Sequence, residues 1–381
     1  MDLNWESKEL RGEIQQMISW WLKKGVDGFR MDVINYISKQ PGLPGGNKVI
    51  GELMGFYGIE HYFYGPKLHT YLKEIQQQAF GPNQAFSVGE MPGIGLEMGK
   101  LITGEGRDEL DLFFSFDHLE NPGKTRFDPY LYDLNYLKSY LANWNKNLGN
   151  YCQMTLFYNN HDNPRFSSKV NPKPEFREVL AKLLAGIQLT QKGTPFIFQG
   201  DELGLVNKEF HDISELKDIE SLNLYEELIQ KMDKAQAFEQ VLSGTRDHAR
   251  TPMQWDDSLY GGFSSEKPWL QGDQDYLNCN VKQQMENEDS VFYFYQKLMA
   301  VRKSTEVFTY GETEFLKLKK KDLFYYIRSL EGERYLVECN LSEYKKKRLY
   351  KLNAFPCILS NAKEKKEVLL PYEFNLYRIK S

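Results

Sequence analysis

Five short apolar segments recur along this chain, and segments with helical periodicity separate them. Their length and their β-branched and aromatic content are typical of buried strands, which we predict over residues 26–34, 85–90, 110–116, 154–158 and 194–198. Apolar residues at helical spacing predict helices over residues 10–22, 69–79, 131–147, 176–187 and 291–302. Strands that alternate with helices in this way predict a parallel sheet covered by helices.

Acidic residues stand at or just after the carboxyl ends of three of these strands: Asp32, Glu90 and Asp162. In a (β/α)8 barrel the carboxyl ends of the strands converge on one face, where catalytic residues lie. No Gly-x-Gly-x-x-Gly motif follows a strand, which disfavours a dinucleotide-binding sheet. The sequence therefore predicts the α/β class with a partial (β/α)8 TIM barrel, because five strands are visible where a closed barrel needs eight.

A different pattern, of short alternating runs, begins near residue 304 and predicts a small antiparallel β domain. The runs cover residues 313–318, 323–329, 334–340, 347–352, 367–370 and 373–379. We therefore predict two domains. Residues 1–303 would form the carboxyl-terminal portion of the catalytic barrel, with a long helical excursion at 205–290, and residues 304–381 a β-sandwich.

Charge and composition exclude several classes of partner. The net charge of -5 argues against nucleic acid, because phosphate binding requires a basic surface. No segment approaches the roughly 20 apolar residues of a membrane span, and the first residues lack the pattern of a signal peptide. The four cysteines have no metal-binding spacing and are expected to be reduced thiols. We expect a cytoplasmic protein with no nucleic-acid or membrane partner.

The three strand-end acids suggest a chemistry. Carboxyl groups that share a pocket repel each other, so their pKa values split and one group can stay protonated while another stays ionised. Retaining glycoside hydrolysis uses such a pair, with carboxyl groups roughly 5–5.5 Å apart. A single acid at a strand end more often caps a helix or binds a loop, whereas three at equivalent positions favour a catalytic site.

Several motifs resemble signature regions of the α-amylase superfamily (glycoside hydrolase family 13). They are GFRMDVI at 28–34, VGE at 88–90, NHDNPR at 160–165, GTPFIFQGDELG at 193–204 and RDHARTPMQW at 246–255. The combination is most similar to the oligo-1,6-glucosidase subgroup, which includes dextran glucosidases. The resemblance extends over essentially the whole chain.

The resemblance implies three catalytic residues. Asp32 would be the nucleophile that forms a glucosyl–enzyme intermediate, and Arg30 would hold its charge and orientation. Glu90 would protonate the leaving oxygen and later activate water. Asp162 would bind ring hydroxyls and stabilise the oxocarbenium-like transition state.

The same resemblance implies further substrate-binding residues. His161 would donate a hydrogen bond to the same sugar, and Arg165 belongs to the same motif. Either Arg246 or Arg250 would close the pocket, and the sequence does not decide between them. Val33, directly after the nucleophile, accompanies α-1,6 specificity in this family, where a smaller alanine accompanies α-1,4 specificity.

The predicted function is a retaining α-glucosidase that releases terminal α-1,6-linked glucose from short isomalto-oligosaccharides, with α-1,4 linkages left open. The resemblance implies no cofactor and no metal. Two relatives within the superfamily remain alternatives, a trehalose-6-phosphate hydrolase and a sucrose isomerase. An alternative of another class is a catalytically silent remnant that binds sugar or a protein partner.

The resemblance also predicts which part of the barrel is present. It begins just before the family's third barrel helix, so the five strands would be the fourth to the eighth. The first three strands, most of the inserted small domain and the family's calcium loop would be missing. We therefore expect a fragment or a truncated gene product, whose own activity is a separate question from that of its family.

Overall fold

The computed structural model describes residues 2–148, 151–272, 274–352, 354–363 and 367–379. The chain divides into two compact units, residues 1–117 with 144–155 and residues 118–143 with 156–381. Its α-helices are α1 (Lys8–Lys23), α2 (Lys48–Met54), α3 (Ile59–Tyr62), α4 (Leu68–Ile75), α5 (Leu96–Thr103), α6 (Leu134–Leu148), α7 (Phe166–Val170), α8 (Arg177–Thr190), α9 (Ile219–Leu228), α10 (Lys234–Leu242), α11 (Val281–Glu286), α12 (Val291–Ser304) and α13 (Val307–Tyr310).

Its strands are β1 (Gly28–Met31), β2 (Phe86–Glu90), β3 (Leu112–Phe114), β4 (Thr155–Leu156), β5 (Thr194–Pro195), β6 (Glu312–Leu316), β7 (Leu323–Leu330), β8 (Glu333–Asn340), β9 (Lys346–Lys347), β10 (Cys357–Ser360), β11 (Val368–Leu369) and β12 (Phe374–Ile379). The five predicted apolar strands correspond to β1–β5, and each is shorter than the apolar run that predicted it. The predicted helices correspond to α1, α4, α6, α8 and α12.

The first unit contains a three-stranded parallel sheet in the order β1-β2-β3. Helix α1 precedes it and begins where the hydroxyl of Ser7 accepts a hydrogen bond from the amide of Leu10, which satisfies one of the amides left unpaired at a helix start. Helix α4 precedes β2 and buries an apolar face that includes Leu68, Leu72 and Ile75. The strands are thus held so that their carboxyl ends lie at one edge of the sheet.

In the second unit, helix α8 is buried along most of its length, from Leu180 to Thr190. Gly186 allows close packing, because a Cβ at this position would lie 2.4 Å from the ring of Phe374 in β12. The amide of Phe196 donates a hydrogen bond to the carbonyl of Leu156, which fixes the chain beyond β5 against the end of β4.

The carboxyl-terminal part is the predicted antiparallel β structure. Its main sheet has five strands in the order β10-β12-β8-β7-β6, and β9 and β11 form a separate pair. Strand β10 was not predicted. In place of the strand predicted at 347–352, the structure has only Lys346–Lys347. A hydrophobic core that includes Tyr325, Leu336 and Tyr377 packs against the sheet. The domain boundary between residues 303 and 304 stays a prediction.

Candidate active site

The pairing of β1 with β2 places Asp32 beside Glu90. The two strands run parallel, and Met31 lies opposite Gly89. Asp32 and Glu90 are the residues that follow this pair, and Glu90 is the last residue of β2. Strand register therefore brings two acidic side chains that are far apart in sequence to one point in the first unit.

Arg30 bridges the two acids. Its Nη1 donates a hydrogen bond to Asp32 Oδ1 at 2.5 Å, and its Nη2 forms an ion pair with Glu90 Oε2. The carboxyl groups of Asp32 and Glu90 also share a hydrogen bond. The side chain of Asp32 is 73% exposed and that of Glu90 only 9%. One acid can thus be reached from solvent while the other is sheltered.

Burial raises the pKa of Glu90 to about 7. The hydrogen bond and the charge of Asp32 act in the same direction, and the positive charge of Arg30 opposes them. A hydrogen bond between two carboxyl groups requires a proton on one of them, and the raised pKa assigns that proton to Glu90.

Val33 follows Asp32 in a strained backbone conformation. Its φ of 36° and ψ of 41° lie in the left-handed region, which β-branched residues rarely adopt. In this conformation its amide lies 3.4 Å from Glu90 Oε2 and donates a hydrogen bond to it. Its side chain is partly exposed beside the two acids, with a residue exposure of 36%. Strain of this kind is concentrated at functional sites.

A second cluster surrounds Asp162, in the second unit. His161 Nε2 lies 3.0 Å from Asp162 Oδ2, and Arg250 Nη2 donates a hydrogen bond to Asp162 Oδ1 at 2.8 Å. Arg250 Nε also donates to the carbonyl of His161 at 2.8 Å, so this arginine holds both residues. The cluster combines a carboxylate with several donors, which is the set of groups that binds sugar hydroxyls.

Arg246 lies at the same cluster but is held mainly by Asp218. Its Nε donates to Asp218 Oδ1 at 2.9 Å, and its Nη2 forms a second bond to the same oxygen. Its Nη1 lies 3.7 Å from Asp162 Oδ1. The side chain of Asp218 is fully buried, and a hydrogen bond from Ser221 holds its other oxygen. The two arginines that the sequence left undecided thus have different contacts, since only Arg250 makes a short hydrogen bond to Asp162.

Arg165 lies in the interior of the second unit. Only 2% of its surface is exposed, and its Nη1 donates to the carbonyl of Gln199 at 2.8 Å. Its guanidinium stacks over Phe198 and lies 3.8 Å from Asp201. These contacts favour a role in holding the turn after β5, and substrate binding by Arg165 stays a prediction.

Two residues of the second cluster, Arg126 and Asp218, were not predicted from the sequence to belong to a site. Arg126 donates a hydrogen bond to the carbonyl of Asp162 and pairs with Glu220, and Asp218 fixes Arg246. Arg126 lies in a loop without any motif. The one available signal for Asp218 was its position just before the start of helix α9, at Ile219, which is typical of a helix-capping acid rather than of a binding site.

Within the described residues, no group of three or more His, Cys, Asp or Glu side chains has an arrangement that could hold a metal ion. In the same part of the chain, no helix combines the length and the apolar character needed to cross a bilayer. The side chains described above supply carboxyl, imidazole and guanidinium groups at the two clusters.

Comparisons with known proteins identify the family of this chain. Residues 1–311 match the family described as the alpha amylase catalytic domain. An oligo-1,6-glucosidase of Halalkalibacterium halodurans is 40% identical over 342 residues, covering 89% of this chain and 61% of that protein. An oligo-1,6-glucosidase of Parageobacillus thermoglucosidasius is 37% identical, covering 100% of this chain and 70% of that protein. The crystal structure of trehalose-6-phosphate hydrolase from Bacillus licheniformis is similar with a TM-score of 0.90 and 31% identity, covering 100% of this chain and 70% of the other.

The chain spans 61% of the length of the Halalkalibacterium protein. The similarity over the full chain confirms the predicted fold class, a TIM-barrel-type fold followed by an antiparallel β-sheet domain. The motif resemblance and the family match point to the same relatives. This chain therefore belongs to the alpha-amylase family of glycoside hydrolases.

Proposed function

We propose that this protein is a retaining α-glucosidase that removes terminal α-1,6-linked glucose from short isomalto-oligosaccharides. The observation that carries the proposal is the hydrogen-bonded pair of Asp32 and Glu90, in which one carboxyl group is exposed and the other has its pKa raised to about 7. The identity of 40% to an oligo-1,6-glucosidase supports the same substrate class. A cytoplasmic location, predicted from composition, is part of the proposal.

The two acids divide the work of a double displacement. The ionised carboxylate of Asp32 attacks the anomeric carbon, and the glycosidic C–O bond breaks as Glu90 gives its proton to the leaving oxygen. Glu90, now ionised, takes a proton from a water molecule, which displaces Asp32 from the anomeric carbon and regenerates both groups. Arg30 contacts both carboxyl groups and balances their charge throughout.

The Asp162 cluster would bind the hydroxyls of the sugar ring. Asp162 accepts hydrogen bonds and stabilises positive charge on the ring, and His161 donates. We propose that Arg250 is the arginine that closes the pocket, because Arg246 is held by the buried carboxylate of Asp218. Arg246, whose Nη1 lies 3.7 Å from Asp162 Oδ1, would then orient Asp162 through the attraction of opposite charges.

Val33 would set the linkage preference. Its branched side chain stands directly after the nucleophile and narrows the approach to the next sugar, so a shape argument connects it to α-1,6 cleavage. Replacing Val33 with alanine should raise the rate on maltose relative to isomaltose by about tenfold, because a missing methylene or two is worth roughly 1–3 kcal/mol in such a pocket. An unchanged ratio of kcat/KM for the two disaccharides would remove Val33 from this role.

The similarity to a trehalose-6-phosphate hydrolase makes that activity the second candidate. It requires a cationic subsite for the phosphate group of the substrate. Comparing initial rates on isomaltose and on trehalose 6-phosphate separates the two candidates, and faster release of glucose from the phosphorylated disaccharide would favour the second.

The covalent intermediate gives the most direct test of the proposed function. A ring-fluorinated α-glucosyl fluoride, which forms the intermediate quickly and releases it slowly, should lose its anomeric fluoride and add one fluoroglucosyl group to the peptide that contains Asp32, as read by mass spectrometry. Asp32→Asn should abolish the adduct. Asp27→Asn is the matched control, because Asp27 is exposed and lies before the other end of β1. Absence of both the adduct and nitrophenol release from p-nitrophenyl α-glucoside would favour the silent remnant.

A further inference from the structure

The three residues after Asp32 all contact the segment that carries Glu90. The amide of Val33 donates to Glu90 Oε2, and Ile34 packs on Gly89, where a Cβ would lie 2.9 Å from Ile34 Cγ2. The side-chain amide of Asn35 donates to the carbonyl of Pro92 at 3.0 Å. The turn after the first acid is therefore attached to the second strand before, at and after the second acid.

Asn35 is the member of this group with a polar side chain, and it is completely buried. Its acceptor lies within a tight turn that follows Glu90, in which the amide of Ile94 donates to the carbonyl of Met91. The carbonyl of Asn35 in turn accepts a hydrogen bond from the amide of Tyr64 at 3.1 Å. A buried amide held at both its side chain and its backbone has little freedom to move.

We propose that Asn35 is a positioning residue, whose buried amide fastens the turn after Asp32 to the turn after Glu90 and thereby sets the separation of the two carboxyl groups. The catalytic meaning of this role rests on the proposed function, whereas the geometric role does not. Val33 alone cannot fix the separation, because its strained backbone would relax if the residues that follow it were released.

The pKa of Glu90 can report on the position of its neighbours. Arg30 and Asp32 face Glu90 from the end of β1, and the charge of Glu90 adds to the effect of burial in raising the pKa of the Tyr36 phenol. Because contact with Asp32 and burial hold the pKa of Glu90 at about 7, loosening the two turns should return it toward the ordinary value of 4.5. A residue that only stabilises the fold would lower the melting temperature without moving this titration.

The experiment compares Asn35→Ala and Asn35→Ser with a matched control, Asn83→Ala. Asn83 also donates a side-chain amide hydrogen bond to a backbone carbonyl, that of Ala79 at 2.7 Å, but it precedes the start of β2, whereas Glu90 ends that strand. Glutamate labelled with ¹³C at the carboxyl carbon reports each titration by NMR, and the Glu90 signal is the one absent from Glu90→Gln. Serine retains a donor, so Asn35→Ser keeps the inference testable if the alanine variant does not fold.

We expect the Glu90 midpoint to fall by about one pH unit in Asn35→Ala, by less in Asn35→Ser, and not at all in Asn83→Ala. For p-nitrophenyl α-glucoside, kcat should fall about tenfold or more in Asn35→Ala with KM little changed, because misplaced reacting groups slow the chemical step. An unchanged Glu90 midpoint in a folded Asn35 variant overturns the inference. If the wild-type chain releases no nitrophenol, the proposed function fails, while the NMR titration still decides the role of Asn35.

Discussion

A site in the first unit and a site in the carboxyl-terminal sheet each combine two acids with one arginine, and they differ in how accessible the acids are. In the first unit Arg30 contacts Asp32 and Glu90. In the carboxyl-terminal sheet Arg348 contacts Glu338 and Glu373. The charges are the same, yet the side chain of Asp32 is 73% exposed and those of the two sheet acids are 0% and 1% exposed.

The two sites also differ in how fully their oxygens are paired. Glu338 accepts hydrogen bonds from the hydroxyl of Tyr325 and the amide of Asn375, and Glu373 accepts from the backbone amide of Leu370. Burial raises the pKa of Glu338 as it raises that of Glu90. A raised pKa therefore does not identify a catalytic acid by itself. The site of Glu90 differs from that of Glu338 in having a solvent-accessible acid beside it, which a substrate could reach.

The largest expected difference is in rate. Replacing Glu90 with glutamine should lower kcat for isomaltose by about 10²–10⁴-fold, since general acid–base catalysis contributes that much. The same exchange at Glu338 should leave kcat per folded molecule unchanged. Both variants are isosteric, so circular dichroism confirms folding before the rates are measured. Equal loss of rate in the two variants would contradict the distinction between the sites.

The next effect is on stability, and here the larger change is expected at the buried site in the carboxyl-terminal sheet. Arg348→Met should lower the free energy of unfolding by about 3–5 kcal/mol, because it leaves two buried carboxyl groups without their cation. Arg30→Met should cost clearly less, because Asp32 is largely in water. Urea unfolding of both variants measures the difference. A larger cost at Arg30 than at Arg348 would show that the exposed pair, rather than the buried one, supports the fold.

A third effect is a pH dependence specific to Glu90. Its pKa of about 7 in the folded chain exceeds the ordinary 4.5, so the folded state binds more protons between these values and its stability falls as the pH rises through that window. Glu90→Gln removes this loss. The variant should therefore gain roughly 1–3 kcal/mol relative to the wild type between pH 4 and pH 8. If the unfolding free energies of the wild type and Glu90→Gln changed with pH in parallel, the raised pKa would not belong to Glu90.

Catalysis should show the same group, with a pH dependence in the same direction. Above pH 7 Glu90 loses the proton that the leaving oxygen needs, so the basic limb of the rate profile should fall with a midpoint near that value. Stability and activity would then decline together as the pH rises, through one carboxyl group.

The sequence predicts that Asp32 and Glu90, the candidate catalytic pair, lie close together, because this proximity depends on local pattern. Apolar runs locate β1 and β2, and parallel pairing brings their carboxyl ends together, so Asp32 and Glu90 meet as expected. The contacts of Arg246 and Arg250 depend on how the loops pack against each other. Asp218 binds Arg246, but the sequence around Asp218 indicates only the start of a helix. Strand β10 was missed because Cys357–Ser360 is short and follows Pro356, which is more typical of a turn.

The backbone of Val33 is a feature that the sequence pattern conceals. A valine after an apolar strand pattern predicts further extended structure, whereas in the structure Val33 has a left-handed φ of 36° and residues 33 and 35 donate hydrogen bonds to Glu90 and Pro92. The sequence thus identifies the acids, whereas tertiary contacts determine how they are held.

The smallest expected effect tests that strain. Val33→Gly should leave the free energy of unfolding unchanged or raise it by up to about 1 kcal/mol, because relief of a left-handed valine is partly offset by the greater freedom of glycine in the unfolded chain. The matched change Val49→Gly, at an exposed position of helix α2, removes the same side chain from unstrained backbone and should lower the free energy of unfolding by roughly 0.5 kcal/mol. Urea unfolding measures both. If Val33→Gly is as destabilising as Val49→Gly, the conformation of Val33 stores no strain.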